Sequence, residues 1–220
     1  MTPSDGTQTG RMKTHPLRNT LNDEVHARPP PLIKTPVSVS HCVFLADERA
    51  LDESFDHVAT LAKRFGVEGP DSDASCYYQQ LGDFELRVER HTEFCGYTFI
   101  RTGVADPPFG KTALSLVPGD WLEETPGVLL AGMHVVMESG SPPDPFGKTL
   151  ADWFEGEAIF GSHVVDDKAV VWTSFRLHSD GFGRFVVYNL DLSDFQTGRT
   201  LQRLLDIDTY RLLALSLIHI

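Results

Sequence analysis

The sequence predicts an α+β fold: a largely antiparallel or mixed sheet with flanking helices and a long C-terminal helix. Three observations carry that prediction. Segments with strand character outnumber helical ones, most are separated by turn signals too short for a crossover helix, and the 3.6-residue period is confined to a few separate stretches. At 220 residues the chain fits one ordinary domain, large enough to remove roughly 70% of its unfolded surface from water without disulfides or a structural metal.

Met1 to Thr14 lack an apolar signal-peptide core and read as a disordered leader, 1–14. Leu17, Leu21 and Val25 then recur at i, i+4 and i+8, predicting a helix from about Leu17 to Arg28 that Pro29-Pro30-Pro31 stops. Val37, Val39 and Cys42 to Ala46 read as a buried strand. Ala50 to Arg64 follows as an amphipathic helix with Leu51, Phe55, Val58, Leu61, Ala62 and Phe65 inward and Gly66 as its stop.

Ser75 to Gln80, Phe84 to Arg90 and Phe94 to Arg101 are expected as antiparallel strands, because Phe84, Leu86 and Val88 alternate with Glu85, Arg87 and Glu89. Gly119 to Glu124 is a short helical piece before a strand from Val128 to Met137, and Asp152-Trp153-Phe154 belongs to another short helix. Ala169 to Leu177 and Arg184 to Leu190 form a hairpin around Ser179-Asp180-Gly181. From Asp194 a long helix sets Leu201, Leu204, Leu205 and Leu212 against a polar face of Arg199, Arg203, Asp206 and Tyr210. The organisation expected is therefore a globular domain over 15–193 and the start of a long helix over 194–214. The last six residues, 215–220, resemble a translated sequencing adapter, so the natural chain is expected to continue past Ala214.

Acids exceed Lys and Arg by 31 to 19, a formal charge of -12. That field repels nucleic acid, which is excluded as a partner, and anionic lipid headgroups. Cys42, Cys76 and Cys95 are odd in number and lack any CxxC spacing, so they are expected as free, buried thiols in a reducing compartment. No run approaches the ~18 apolar residues of a membrane span.

Pro108-Phe109-Gly110-Lys111-Thr112 recurs as Pro145-Phe146-Gly147-Lys148-Thr149, and each Gly-Lys-Thr imitates the end of a phosphate-binding loop. The first glycine of that motif is missing, since its positions hold Ala105 and Pro142, so both copies are expected as turns that start helices. One short match does not make an internal repeat.

Two polar clusters stand out. Arg18, Asn22 and His26 share a face of the first helix beside Arg28, and His91 and Glu93 would share a face if Arg90 to Phe94 were extended. If these segments dock, with Arg176 and Asp180 nearby on the last hairpin, His26, Arg28, His91, Glu93, Arg176 and Asp180 make one candidate polar site. A histidine beside a carboxylate suits acid-base chemistry, but no nucleophile-base pair and no ligand-spaced metal cluster appears, and no cofactor is expected.

His15-Pro-Leu-Arg, Glu24-Val-His-Ala-Arg-Pro, Arg90-His-Thr-Glu-Phe, the run from Thr173 to Phe182, and Gly198-Arg with the run from Gln202 to Arg211 resemble motifs of the DUF3422 family of bacterial proteins of unknown function. The resemblance leads one to expect an aspartate at position 174, where this chain has Ser174. It implies a helical, coiled-coil region and a hydrophobic C-terminal segment further on, with the present portion on the cytoplasmic side of the bacterial inner membrane. It implies no enzyme class. The expectation is a non-enzymatic interaction, sensory or structural module that self-associates through the missing helical region and meets the membrane through the missing C-terminal segment. The alternative is an enzyme using the His/Glu/Arg cluster for acid-base chemistry.

Overall fold

The computed structural model describes residues 13–16, 18–19, 30–71 and 74–218, with side chains as far as residue 208. The helix expected over 17–28, with His26 and Arg28, lies outside the described residues apart from Arg18 and Asn19, which are helical.

An eight-stranded mixed sheet organises the chain. Its strands are β1 (Val37–Leu45), β2 (Cys76–Leu81), β3 (Phe84–Arg90), β4 (Phe94–Thr102), β5 (Val128–Ser139), β6 (Phe160–Val164), β7 (Ala169–Leu177) and β8 (Gly183–Asn189). They lie in the order β2-β3-β4-β1-β5-β8-β7-β6. Every neighbouring pair is antiparallel except β5 with β8. That exception arises because the chain leaves β5, builds β6 and β7 at the far edge, and returns to β5's open side. The helices are α1 (Glu48–Arg64), α2 (Gly119–Glu123), α3 (Lys148–Trp153) and α4 (Asp194–Ile218), with a 3-10 turn at Ala113–Leu116.

Strand alternation sends side chains to two opposite faces, each with its own apolar packing. On one face, Leu51, Phe55, Val58 and Leu61 of α1 pack with Trp121 on Cys42, Phe84, Leu86, Val88, Tyr97 and Phe99. Further along the same face, Leu150 and Phe154 cover Val170, Trp172 and Val186. On the opposite face Leu201 and Leu205 of α4 seat on Val37, Val39, Met133, Val135, Met137, Phe185 and Val187. Each fully buried aliphatic or aromatic side chain contributes about 1.5–3 kcal/mol.

Local chemistry sets the element ends. Asp47 caps α1 by accepting the Ala50 amide at 2.8 Å, and Gly66, with φ of 69°, turns the chain away after it. The second Pro-Phe-Gly-Lys-Thr copy starts a helix, as its sequence suggests: Gly147 is the N-cap of α3, and Lys148 is engaged by Asp152 at 2.6 Å. The first copy leads into the 3-10 turn, with Thr112 at its N-cap.

The structure differs from the sequence reading in three places. β6 was not foreseen; it is an edge strand whose residues are mostly exposed, so burial leaves little trace in its sequence. His91 and Glu93 do not share a strand face, because β3 ends at Arg90 and residues 91–93 form the turn into β4. Cys42 and Cys95 are buried, and burial raises their thiol pKa values to about 12 and about 11, but Cys76 is exposed.

Candidate functional site

Two places on the sheet concentrate features that apolar packing does not require, one on each face. The first is a row of polar side chains between the two cores of the α1 and α3 face. Register creates it: Ser40 on β1 opposes His134 on β5, and His134 opposes Arg184 on β8. All three side chains therefore project to the same face.

Arg184 is the hub. Its Nη2 lies 2.8 Å from Glu155 Oε1 and 3.1 Å from Asp180 Oδ2, and Nη1 donates to the Trp153 carbonyl at 2.8 Å. The guanidinium sits over the Phe109 ring, 5.0 Å from its centroid. Each carboxylate is backed by a histidine and each histidine by a serine. His134 Nε2 faces Asp180 Oδ2 at 3.9 Å while Nδ1 meets Ser40 Oγ at 2.9 Å. His178 Nδ1 faces Glu155 Oε2 at 3.6 Å while Nε2 meets Ser174 Oγ at 3.0 Å.

Each serine also holds a backbone amide. Ser40 Oγ accepts the Leu114 amide and Ser174 Oγ accepts the Arg176 amide, so each hydroxyl proton is free to donate to its imidazole. The other ring nitrogen of each histidine faces a carboxylate, at 3.9 Å for His134 and 3.6 Å for His178.

Electrostatics agree. Burial pushes His134 down to about 4, against the pull of Asp180. Burial and Arg184 together lower His178. The Ser179 hydroxyl and amide, with Arg184, hold Glu155 down at about 2. Burial works against ionisation of Asp180, but the Phe182 amide and Arg184 outweigh it and keep its pKa below the usual value. At neutral pH the cluster thus holds two carboxylates, one guanidinium and two neutral rings.

Ser174, His178 and Glu155 have the order of nucleophile, base and orienting acid. Access is what they lack: Ser174 is 2% exposed and the His178 side chain is sealed from solvent. In this arrangement the two serine-histidine-carboxylate relays act as a clamp. They tie the turn after β7 and the chain end of α3 to the sheet centre.

Of the sequence-selected residues, Asp180 belongs to this cluster. Arg176 is exposed, and only its backbone amide touches the cluster, through Ser174. His91 stacks on Phe94 with ring centroids 4.1 Å apart and faces Glu89 at 4.0 Å. Glu93 is exposed. The β3–β4 turn and the β7–β8 turn lie at the same end of the sheet but four strand spacings apart, about 19 Å, so His91 and Glu93 do not meet Asp180. His134, Glu155, His178 and Arg184 were not selected from sequence. A lone histidine in the apolar run from Met133 to Met137 was the available signal.

The second place is a groove of 330 Å3 on the opposite face, between β6, β7, β8 and α4. Phe160, Val171, Phe185, Leu204 and Ile207 are among its walls, and Arg203 and Thr200 of α4 complete it. Phe160 and Phe175 stand at its mouth, 56% and 62% exposed. Among the described residues no group of histidine, cysteine and carboxylate side chains is placed to hold a metal ion, and no helix is long and apolar enough to cross a membrane.

A family model described as a protein of unknown function, DUF3422, matches residues 13–218. No curated protein and no solved structure matches the chain.

Proposed function

The chain belongs to the DUF3422 family, and from that premise we propose that it is a non-enzymatic sensory and interaction domain of a membrane-anchored bacterial protein. In this reading it lies on the cytoplasmic side of the inner membrane. α4 leads toward a helical region that self-associates, and a later hydrophobic segment anchors the molecule. The acidic body, with a formal charge of -12, is repelled by an anionic leaflet and stands away from it.

One observation carries the reading. α4 is seated by Leu201 and Leu205 in the core but also forms one wall of the groove through Thr200, Arg203, Leu204 and Ile207. Whatever fills the groove bears directly on the helix that, in this reading, leads on to the self-associating region. Exposed apolar surface of this kind marks a site of interaction.

The test uses the full-length protein in its own membranes. Ser162→Trp, at an exposed edge-strand position lining the groove, fills it, and Lys148→Ala on the other face is the control. The expected result is recovery of all three proteins with the membrane fraction, with altered crosslinked self-association for Ser162→Trp alone. Recovery of the full-length protein in the soluble fraction, or self-association indifferent to Ser162→Trp, would overturn the reading.

A second enzyme reading, separate from the His/Glu/Arg acid-base cluster expected from sequence, would draw on the Ser174, His178 and Glu155 order. The sealed serine weighs against it.

A further inference from the structure

We propose that the groove between α4 and the β6–β8 edge is a binding site for a medium-chain aliphatic carboxylate, its chain among the apolar walls and its carboxylate on Arg203. This rests on the sensory reading above and names the ligand class that the site would take.

Three observations converge. The walls are almost wholly apolar, and among the described residues Arg203 is the one charged side chain lining them. Among the described residues no carboxylate lies within 4.0 Å of Arg203: Asp206, three residues on, feels its charge only through space and takes its side-chain hydrogen bond from Gln202. A site with an apolar body and a single cation complements a ligand with an apolar body and a single anion. Size agrees: from Thr200 to Ile207 the helix wall runs about 10 Å at 1.5 Å per residue, which suits a chain of medium length.

The third observation is backbone strain. Phe175 has φ of 54°, inside the irregular stretch between Thr173 and Leu177 where β7 loses register with β8. The Phe175 amide is held by Thr173 Oγ1 at 3.1 Å. Its ring stands edge-on to Phe185 and tilted against Phe160, with centroids 6.4 and 5.7 Å away. A non-glycine residue in this conformation is costly, and burial does not compensate it, because the ring is 62% exposed. A ligand under the ring supplies the missing compensation.

The chain's charge selects a free acid over a membrane lipid. An anionic leaflet repels the acidic body, whereas a monomeric carboxylate meets Arg203 at close range, where the local cation outweighs a field screened beyond about 10 Å.

Isothermal titration calorimetry of the 220-residue chain with decanoate, below its micelle concentration, tests this, with decanol and decyltrimethylammonium as comparison probes. Saturable one-to-one binding of decanoate is expected. Arg203→Gln should weaken it about tenfold, as loss of a charge-assisted hydrogen bond does, Arg203→Lys less, and Ser162→Trp should abolish it. Decanol should bind about as weakly to the original chain as decanoate binds to Arg203→Gln, and the cation not at all. Arg203 is exposed on its helix, so its variants report on binding even if Ser162→Trp fails to fold.

Absence of saturable binding, binding indifferent to Arg203→Gln, or preference for the cation would sink the proposal. So would dimerisation of the chain through this face, lost in Ser162→Trp and unaffected by decanoate. If decanoate fails while Ser162→Trp still alters assembly of the full-length protein, the ligand class falls and the sensory reading stands. If decanoate binds while assembly ignores both decanoate and Ser162→Trp, the reading falls and the site stands.

Discussion

His134 and Arg184 stand directly opposite each other on β5 and β8, the one parallel strand pair in the sheet. Because parallel register aligns them on one face, a neutral imidazole and a guanidinium share Asp180. The β7–β8 turn is thereby fixed to the centre of the sheet. Removing the guanidinium leaves Glu155 and Asp180 facing each other without a cation. Arg184→Met should destabilise the fold by about 1–2 kcal/mol, because the guanidinium is buried while both carboxylates reach solvent and are screened by it. Adding Glu155→Gln and Asp180→Asn should recover part of the loss. Urea unfolding of the three proteins measures this, and an Arg184→Met midpoint equal to that of the original chain would refute the clamp.

The histidines make stability depend on pH in a definite direction. Burial holds His134 and His41 at about 4 in the folded chain, against ~6.5 when unfolded. Between those values the unfolded state binds more protons, so the stabilisation is complete above pH ~6.5 and is lost as pH falls toward 4. At about 1.4 kcal/mol per unit, His134 alone accounts for roughly 3 kcal/mol. Glu155, held at about 2, acts with the same sign at lower pH. Urea midpoints should fall from pH 7 to pH 4.5, and His134→Asn should flatten the upper part of that slope. A midpoint that rises on acidification contradicts the assignment.

The relay of Ser174, His178 and Glu155 predicts an unreactive serine. A fluorophosphonate probe should leave Ser174 unlabelled, since the residue is 2% exposed and its partner ring is sealed. Labelling that disappears in Ser174→Ala would favour a nucleophilic serine enzyme.

Legibility in the sequence follows range. The alternation of Phe84, Leu86 and Val88 with Glu85, Arg87 and Glu89 is local, and it matches the burial of β3 residue by residue. The apolar period of α1 matches Leu51, Phe55, Val58 and Leu61 in the same way. β6 escaped because an edge strand with exposed faces has no alternation to show. The clamp escaped because Ser40, His134, Glu155 and Arg184 come from separate segments, and only strand order brings them together. Asp180 was found because it lies in a dense polar hairpin, but Arg176, four residues before it, points elsewhere for lack of regular alternation in the β7 irregularity.

Gly198 provides a case in which propensity and packing point in opposite directions. It lies in the first half of α4, where replacement by alanine would favour the helix by up to about 1 kcal/mol in isolation. A β-carbon there would overlap the carbonyl oxygen of Pro31. The chain crosses α4 at that point, and the Ile33 amide donates to the Asp194 carbonyl at 3.2 Å nearby. Backbone cannot yield as a flexible side chain does, so either the 30–34 segment lifts from the helix or α4 shifts on the sheet. Ile33 is 4% exposed and belongs to the same core as Leu201, and both movements uncover it. Gly198→Ala should therefore destabilise by about 2 kcal/mol net of the helix gain, in the range of overpacked cores. Gly119→Ala, where an added β-carbon meets nothing within 4 Å, should stay close to the original chain. Thermal unfolding of the two variants side by side decides the matter: equal midpoints would mean that α4 does not depend on this crossing.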